Sequence, residues 1–400
     1  MRNVILLTID ALIKEVIGCY GNENELTPFI DSLQSQCIRF TKGQASGPYT
    51  QASFPGILTS SYYLEYGKPK GLSPHRTLVS EPLKQAGIIT AAFHSNPYIC
   101  DFLGWNRGWD FFYDSMEEEV SPRMPYMKGT VINAKVTEWL SSYGAAGDGN
   151  PFFLWLHYMD IHEPYVPERK YVDMVDSSIA ISQDEMYSLF ENTLLKRDVA
   201  DPEKVTLLKK LYDMHVREVD TYVQDFFNTL ERLGILKDSV VIMTSDHGDE
   251  FNEHGGLSHD DKMYSELIDM PLIIYGGDRS GICDTLVSNV DIPPTIVHLF
   301  GLDPVKKFEG HSLLPLDGYP EKGCFGEAID QRGQRGGDIE KDSYFYREKD
   351  LKIICHAGVD RWELYDLNQD PDEVNNIINT SPAAEKLRSK LKPRMRRWLS

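Results

Sequence analysis

The sequence predicts an α/β fold with an open sheet of buried strands and, after it, a small antiparallel sheet. Short apolar runs rich in β-branched residues recur at residues 3–9, 152–158 and 240–243, and each is too short for a helix. Helix signals lie between these runs, with N-cap residues before the first turn and glycines after the last. After Gly310 the pattern changes to short alternating segments, which are typical of antiparallel strands.

The elements of the main sheet follow in chain order. Residues 3–9 (NVILLTI) predict a central strand that ends at Asp10. The further predicted elements are a helix from Thr27 and Pro28, a short strand at 38–40, a helix at 77–86 ended by Gly87, a strand at 88–93, the strand at 152–158, a helix at 216–233 ended by Gly234, the strand at 240–243, a strand at 271–275 and a short helix at 291–301.

The last part of the chain predicts a separate, smaller unit. Its four alternating segments lie at 324–328, 344–347, 351–356 and 363–367. Residues 383–399 are rich in Lys and Arg and predict a closing helix, which Pro393 should kink or end. We therefore expect a large α/β domain over residues 1–310 and a small α+β subdomain over 311–400 that packs on it.

The composition limits the classes of partner. The 400 residues carry a formal net charge of −20, which argues against nucleic acid and anionic membranes as partners. A small anionic substrate is still compatible with this charge, because a metal ion can reverse the local sign. The six cysteines are scattered without close pairing, and no apolar run approaches the roughly 18 residues of a membrane span. With no signal-like layout after Met1, we expect a cytoplasmic protein unless a signal segment was removed; the oligomeric state stays open.

Acids and histidines follow three of the predicted strands. Asp10 follows the first strand, Asp160 and His162 follow the second, and Asp246 and His247 follow the third. Each acid alone could be a helix cap. Because strand ends meet at one edge of an open α/β sheet, the three together predict a shared metal site. Carboxylate oxygen and imidazole nitrogen favour Zn or Mn, with Ca or Mg as alternatives.

A polar loop supplies a candidate nucleophile. Residues 47–60 (GPYTQASFPGILTS) combine turn residues with a short apolar segment, and Thr50 and Ser53 lie where a helix begins. A capped helix start is the alternative interpretation of these hydroxyls.

Several short motifs, taken in order, make the chain resemble the sulfatase family of the alkaline phosphatase superfamily. The motifs are NVILLTID at 3–10, GCYG at 18–21, TPFID at 27–31, TQASFPGILT at 50–59, GWD at 108–110, HYMDIHEPY at 157–165, SDHG at 245–248, EHG at 253–255 with His259, MPL at 270–272, ELYDL at 363–367, and DP at 370–371 with Glu373. The resemblance extends over nearly the whole chain.

This resemblance implies a large, mixed and mostly parallel sheet between helices, with a smaller C-terminal sheet. It also implies metal-dependent cleavage of sulfate or phosphate esters. By the resemblance, Asp10, Asp246 and His247 match metal ligands, and His259 matches a residue that contacts the leaving group or substrate. We expect the metal to bind among Asp10, Thr50, Asp246 and His247. Asp160 and His162 match a central motif that lines the pocket or binds a second metal.

The sequence departs from the sulfatase pattern at the nucleophile. Sulfatases carry Cys or Ser in a C/S-x-P-S-R pattern and oxidise it to formylglycine, whereas residues 50–54 here read TQASF. Oxidation of Thr50 would give a ketone, so formylglycine chemistry is in doubt. Phe54 stands in place of the arginine, and Ala11 stands where many sulfatases have a second aspartate. Lys262 is a candidate substitute for the missing cation, although a surface lysine is the simpler interpretation.

Three functions are compatible with these residues. The first is a phosphoester hydrolase, for monoesters or diesters, with Thr50 as nucleophile and His259 or His162 as acid. The second is a sulfatase that works without formylglycine. The third is a non-catalytic binding protein on the same fold. The sequence favours the first, because many phosphodiesterases and phosphate transferases of the superfamily use a threonine alkoxide.

Overall fold

A computed structural model describes residues 2–66, 71–115, 118, 120–121, 123–146, 150–329 and 342–395. The described residues form the strands β1 (Asn3–Ile9), β2 (Cys37–Gln44), β3 (Ile89–His94), β4 (Phe111–Asp114), β5 (Phe152–Tyr158), β6 (Ser239–Ser245), β7 (Glu250–Phe251), β8 (Leu257–Ser258), β9 (Leu272–Tyr275), β10 (Gly281–Ser288), β11 (Cys324–Ala328), β12 (Ser343–Glu348), β13 (Leu351–His356) and β14 (Arg361–Asp366). Eight of them form the main sheet, in the spatial order β10-β2-β9-β6-β1-β5-β3-β4.

The strand β1 lies at the centre of this sheet and pairs in parallel with β5 and β6. Ile9 is level with Tyr158 of β5 and with Ser245 of β6, so all three strands end at the same height. Strand β9 runs antiparallel to its neighbours β2 and β6. The predicted mixed and mostly parallel sheet is confirmed.

Helices cover both faces of the sheet. They are α1 (Pro28–Ser32), α2 (Thr50–Thr59), α3 (Ser80–Gln85), α4 (Gly129–Ala146), α5 (Arg169–Asp176), α6 (Gln183–Leu189), α7 (Pro202–Arg232), α8 (Ser265–Ile268), α9 (Ile292–Leu299) and α10 (Ala384–Leu391). Alternate residues of β1 belong to two separate cores: Ile5 and Leu7 pack with α1, α4 and α7, while Val4 and Leu6 pack with α2, α3 and α9. This alternation explains the continuous apolar run in the sequence, because both faces of the strand are buried.

The predicted C-terminal antiparallel sheet is also confirmed, with strands in the order β11-β12-β13-β14. Its apolar face forms a third core with Tyr49, Tyr63 and Tyr264, which come from loops of the main domain. The closing helix α10 is shorter than predicted and ends at Leu391, before Pro393. Residues 396–399 of the predicted helix lie outside the described residues.

Several elements differ from the sequence prediction, among them α4 (Gly129–Ala146), which was not predicted. Helix α7 begins at Pro202 rather than at 216, because Asp201 caps it by accepting from the backbone N–H groups of Glu203 and Lys204. The edge strands β4 and β10 were not predicted, since β4 has only four residues (FFYD) and in β10 (GICDTLVS) polar residues interrupt the apolar ones. Within the described ranges, no helix combines the length and the hydropathy that a membrane crossing requires.

Candidate active site

Three ligand atoms converge where β1 and β6 end. Asp10, Asp246 and His247 are fully buried, and each offers one ligand atom within 4.8 Å of the others. Nε2 of His247 lies 3.4 Å from Oδ2 of Asp246 and 3.8 Å from Oδ1 of Asp10. None of these three atoms has a hydrogen-bond partner among the described residues. Buried polar atoms are costly without a partner, so the shared space fits a cation.

The remaining polar atoms of the same side chains are held by the protein. Oδ2 of Asp10 accepts from Nδ2 of Asn96 at 3.0 Å and lies 3.2 Å from Nε2 of His157. Oδ1 of Asp246 accepts the backbone N–H groups of Ala11 and His247. Nδ1 of His247 donates to its neighbour's backbone carbonyl at 2.9 Å, which leaves Nε2 as the lone-pair nitrogen of the neutral ring. Each side chain thus uses one atom for orientation and directs the other into the shared space.

The surrounding charges shift the pKa values of the two acids of this cluster in opposite directions. Burial opposes ionisation of Asp10, but the hydrogen bond from His157 and the charges of His162 and His247 hold its pKa well below the usual range. Burial and the charge of Asp10 raise the pKa of Asp246. Two adjacent buried carboxylates with an imidazole are a donor set that a divalent cation neutralises.

Thr50 is the first residue of α2 and is buried beside this cluster. Its Oγ1 lies 3.4 Å from Nδ2 of Asn96, the same nitrogen that donates to Asp10. Ser53, one turn later, donates from Oγ to the backbone carbonyl of Asp246 at 2.6 Å and accepts from Asn289. The hydrogen bonds of Ser53 therefore connect α2 to the end of β6. The hydroxyl of Thr50 lies beside the cluster and does not have this structural role.

Two of the departures from the sulfatase pattern, at Phe54 and Ala11, have local explanations. Phe54 is fully buried and packs edge-on against His157, with ring centroids 5.1 Å apart, so this position faces the core below the site. Ala11 has a left-handed backbone with φ of 54° and contributes its backbone N–H to Asp246. Neither position adds a charged group to the site.

His162 and His259 form the other side of the site, on loops. Their ring centroids are 5.2 Å apart, and the ring of His259 lies 4.4 Å from that of His247. Nδ1 of His259 hydrogen-bonds to Oδ1 of Asp249 at 2.7 Å. Burial would lower the pKa of His259, but the hydrogen bond to Asp249 and the charges of Asp249 and Glu163 raise it to about 9.

Two predicted site residues lie elsewhere. Asp160 is buried, but its Oδ2 accepts the backbone N–H of Gly129 at the start of α4, and it is absent from the ligand clusters of the described residues. The turn after β5 directs this side chain toward α4, away from β1. Lys262 donates to Oε2 of Glu250 at 2.6 Å and to the carbonyl of His254, so its charge is already paired.

Three buried residues of the site were not predicted as functional. Asn96 and His157 hold Asp10, and Asp249 holds His259. Asn96 follows a predicted strand, so the rule that found Asp10 also applies to it. His157 is a polar residue within an otherwise apolar strand, which requires a buried partner. Asp249 carried no signal of its own, because its loop does not follow any regular pattern.

Comparison with known proteins gives a consistent result. The family model described as Sulfatase matches residues 2–302, and the model described as N-sulphoglucosamine sulphohydrolase, C-terminal, matches residues 253–399. An N-acetylglucosamine-6-O-sulfatase of Bacteroides thetaiotaomicron is 22% identical, over 96% of this chain and 84% of the relative. Arylsulfatase K of Bos taurus is 28% identical, over 97% and 81%.

A solved structure has the same fold. The phosphonate monoester hydrolase of Agrobacterium radiobacter aligns with a TM-score of 0.80 over 100% of this chain and 95% of its own. The sequence identity in this alignment is 17%, so the likeness concerns the fold alone.

Proposed function

This chain belongs to the sulfatase family, and on that premise we propose that it is a metal-dependent hydrolase of small anionic sulfate esters, with Thr50 as its nucleophile. The observation that carries the proposal is the convergence of three buried, partnerless ligand atoms beside a hydroxyl at the start of a helix. These three atoms make no hydrogen bonds, so they do not contribute to the fold in that way. A non-catalytic protein would have no need to keep it.

Asp10, Asp246 and His247 are the residues that would hold the cation. Their mixed oxygen and nitrogen donors suit Zn or Mn, and the two carboxylates also suit Ca or Mg, the metals typical of the family. When bound there, a divalent cation would stabilise a deprotonated hydroxyl and the negative charge of the ester group.

The residues of the chain supply the remaining chemistry. Oγ1 of Thr50, having lost its proton to water, attacks the sulfur in line with the leaving oxygen. The bond from sulfur to the leaving oxygen breaks, and His259 or His162 gives that oxygen a proton. A water molecule then attacks the sulfur of the Thr50 ester, which releases sulfate and restores the hydroxyl. Nδ2 of Asn96 lies 3.4 Å from Oγ1 and is placed to donate to it.

The names of the relatives favour sulfate esters as the first candidate. The two relatives described above match over nearly the whole chain, and both are named as sulfatases: an N-acetylglucosamine-6-O-sulfatase and an arylsulfatase. Phosphate esters, which the sequence favoured, are the second candidate. One observation supports them: Thr50 cannot become the aldehyde of a formylglycine, and a threonine hydroxyl can attack phosphorus directly.

Initial rates on three substrates test this proposal. The protein, supplied in turn with Zn, Mn, Ca and Mg, is assayed on 4-nitrophenyl sulfate, 4-nitrophenyl phosphate and bis(4-nitrophenyl) phosphate. We expect metal-dependent turnover, fastest on the sulfate ester, and none with Thr50→Ala. Faster turnover of either phosphate ester would select the second candidate. Absence of turnover on all three with every metal would favour a binding protein.

A further inference from the structure

The segment of residues 190–201, which joins α6 to α7, contacts the loop that carries His259. It begins with a turn of π-helix, Phe190–Leu194. Turns of this kind are rare and occur frequently at functional sites. Thr193 and Leu194 are buried, so the segment is fixed to the main domain before it reaches the loop.

Arg197 makes this contact through both ends of its guanidinium group. Nη1 donates to the backbone carbonyl of Leu257 at 2.6 Å, and Nη2 donates to the backbone carbonyl of His259 at 2.8 Å. Nη1 also lies 3.7 Å from Oδ2 of Asp260. The two carbonyls flank Ser258, so a single planar group fixes the backbone on both sides of this residue.

The backbone at both ends of this contact is strained. Arg197 has a φ of 50° and Ser258 has a φ of 63°, in the left-handed region that non-glycine residues rarely adopt. Such conformations persist where surrounding contacts hold them, and they cluster at functional sites. The hydroxyl of Ser258 donates to Oε2 of Glu163 at 2.8 Å, next to His162. The contact with Arg197 therefore supports the whole loop side of the site.

A surface ion pair would be a simpler role for Arg197, but the geometry favours the carbonyls. The side chain of Arg197 is 37% exposed, and its 3.7 Å pair with Asp260 is too long to contribute much. The two bonds to the carbonyls are short and charge-assisted. Asp249 orients the ring of His259 through Nδ1, while Arg197 fixes the backbone of the same residue.

We propose that Arg197 is a positioning residue for His259, which it holds at the distance from Thr50 that protonation of the leaving oxygen requires. The inference rests on the proposed function, in which this histidine is a candidate proton donor. Arg197 itself touches neither the substrate nor the reacting atoms in this account. It acts through the backbone on which the imidazole is carried.

The dependence of the rate on the leaving group tests this role. Metal-loaded wild type and Arg197→Ala are assayed on phenyl sulfate and on 4-nitrophenyl sulfate. The phenyl ester has the more basic leaving oxygen and needs the proton more. We expect kcat to fall on the order of 10²-fold for the phenyl ester, as for a displacement of about 1 Å. The fall should be less than about 10-fold for the nitrophenyl ester. Equal slowing of both esters would overturn the inference.

Hydrogen–deuterium exchange of the peptide over residues 256–262 tests the same contact without turnover. Exchange should be faster in Arg197→Ala and intermediate in Arg197→Lys, which keeps the charge but has no planar fork. Arg169→Ala is the matched control, because this arginine also donates to a backbone carbonyl, that of Ile179, and is 51% exposed. It should leave both exchange and kcat at the wild-type values.

Wild-type exchange in a folded Arg197→Ala variant would also overturn the inference. Circular dichroism and melting check that the variant folds. Should it not fold, Arg197→Lys carries the test, and wild-type exchange with wild-type rates on both esters would refute the role. Exchange does not depend on turnover, so faster exchange in Arg197→Ala with a wild type that cleaves neither ester would refute the proposed function and support the contact.

Discussion

The Asp10 side of the site lies on strand ends, and the His162 side lies on loops. The side chains of Asp10, Asp246 and His247 have no exposed surface, whereas those of His162, Glu163 and His259 are 23%, 18% and 11% exposed. The first cluster is held in place by the register of three paired strands. The second depends on individual hydrogen bonds, such as those of Asp249 and Ser258. The strand-end side is therefore the rigid part, and the loop side is the part where sequence changes can alter the chemistry.

The largest effect is expected at Thr50, on the strand-end side. Thr50→Ala should lower kcat by on the order of 10⁴-fold or more, because removal of a nucleophile disables the covalent route. Thr50→Ser should retain appreciable turnover, since a primary hydroxyl can make the same attack. Steady-state kinetics on the best nitrophenyl ester measures both. Wild-type rates for Thr50→Ala would show that Thr50 only begins helix α2 and does not act as the nucleophile.

The next largest effect is expected for Asp246→Ala, which removes one ligand of the buried cluster. We expect the strand-end cation to be lost. The value of kcat/KM should fall by more than the roughly 10–100-fold that is typical when a residue hydrogen-bonded to a metal ligand is removed. Elemental analysis and kinetics on the same samples measure this effect. If Asp246→Ala kept both the bound metal and the wild-type kcat/KM, the three converging atoms would not form the catalytic metal site.

His259→Ala tests the loop side and should lower kcat by about 10²-fold, as for loss of a catalytic acid. The strand-end cation should remain bound, because none of its three ligands changes. This is the sharpest contrast with Asp246→Ala. A loss of all metal from His259→Ala would contradict the separation of the two sides.

Asn96→Ala should reduce kcat/KM by about 10- to 100-fold, because Asn96 orients Asp10 and contacts Thr50 without itself being a ligand. Asn96→Asp is the informative companion, since it places another negative charge next to Asp10. The aspartate variant should be the less active of the two at neutral pH. Equal and near-wild-type rates would assign Asn96 a structural role only, as the cap of residues 97–99.

The smallest effect on activity is expected for Asp160→Asn. Burial and the charge of Glu218 raise the pKa of Asp160 from 3.8 to about 7, so the folded state keeps a proton that the unfolded chain has released. The free energy of unfolding of the wild type should therefore fall as the pH rises through this window, and the variant should lack that part of the decrease. Urea unfolding of the metal-free proteins across the window measures the difference. A loss of metal from Asp160→Asn would restore this residue as a ligand.

The sequence predicted the parts of the fold that depend on burial on both faces of a strand. The runs at β1, β5 and β6 are continuous because both sides are covered by helices, and strand β13 was predicted with its observed bounds. The edge strand β10 is exposed or half-buried over its first five residues and buried only over its last three, so it gave no comparable pattern. The division at residue 310 stays a prediction.

The same contrast applies to the site. Asp10, Asp246 and His247 could be predicted, because they follow buried strands and strand ends meet at one edge. Asp160 follows a strand too, but the direction of its side chain depends on a turn that sequence spacing does not determine. The contacts of Asp249 with His259 and of Glu163 with Ser258 could not be predicted from the sequence, because loops of irregular conformation bring these residues together.

We propose above that Thr50, beside the buried ligand cluster, forms a covalent bond to the sulfur or phosphorus of the substrate while the leaving group departs. The most direct test is rapid quenching of the metal-loaded protein during turnover, followed by digestion and mass spectrometry of the peptide that contains Thr50. The account predicts a transient sulfuryl or phosphoryl group on Thr50, absent from Thr50→Ala, and unmodified threonine once substrate is exhausted. Full turnover with Thr50 unmodified at every quench time, together with an active Thr50→Ala variant, would contradict it.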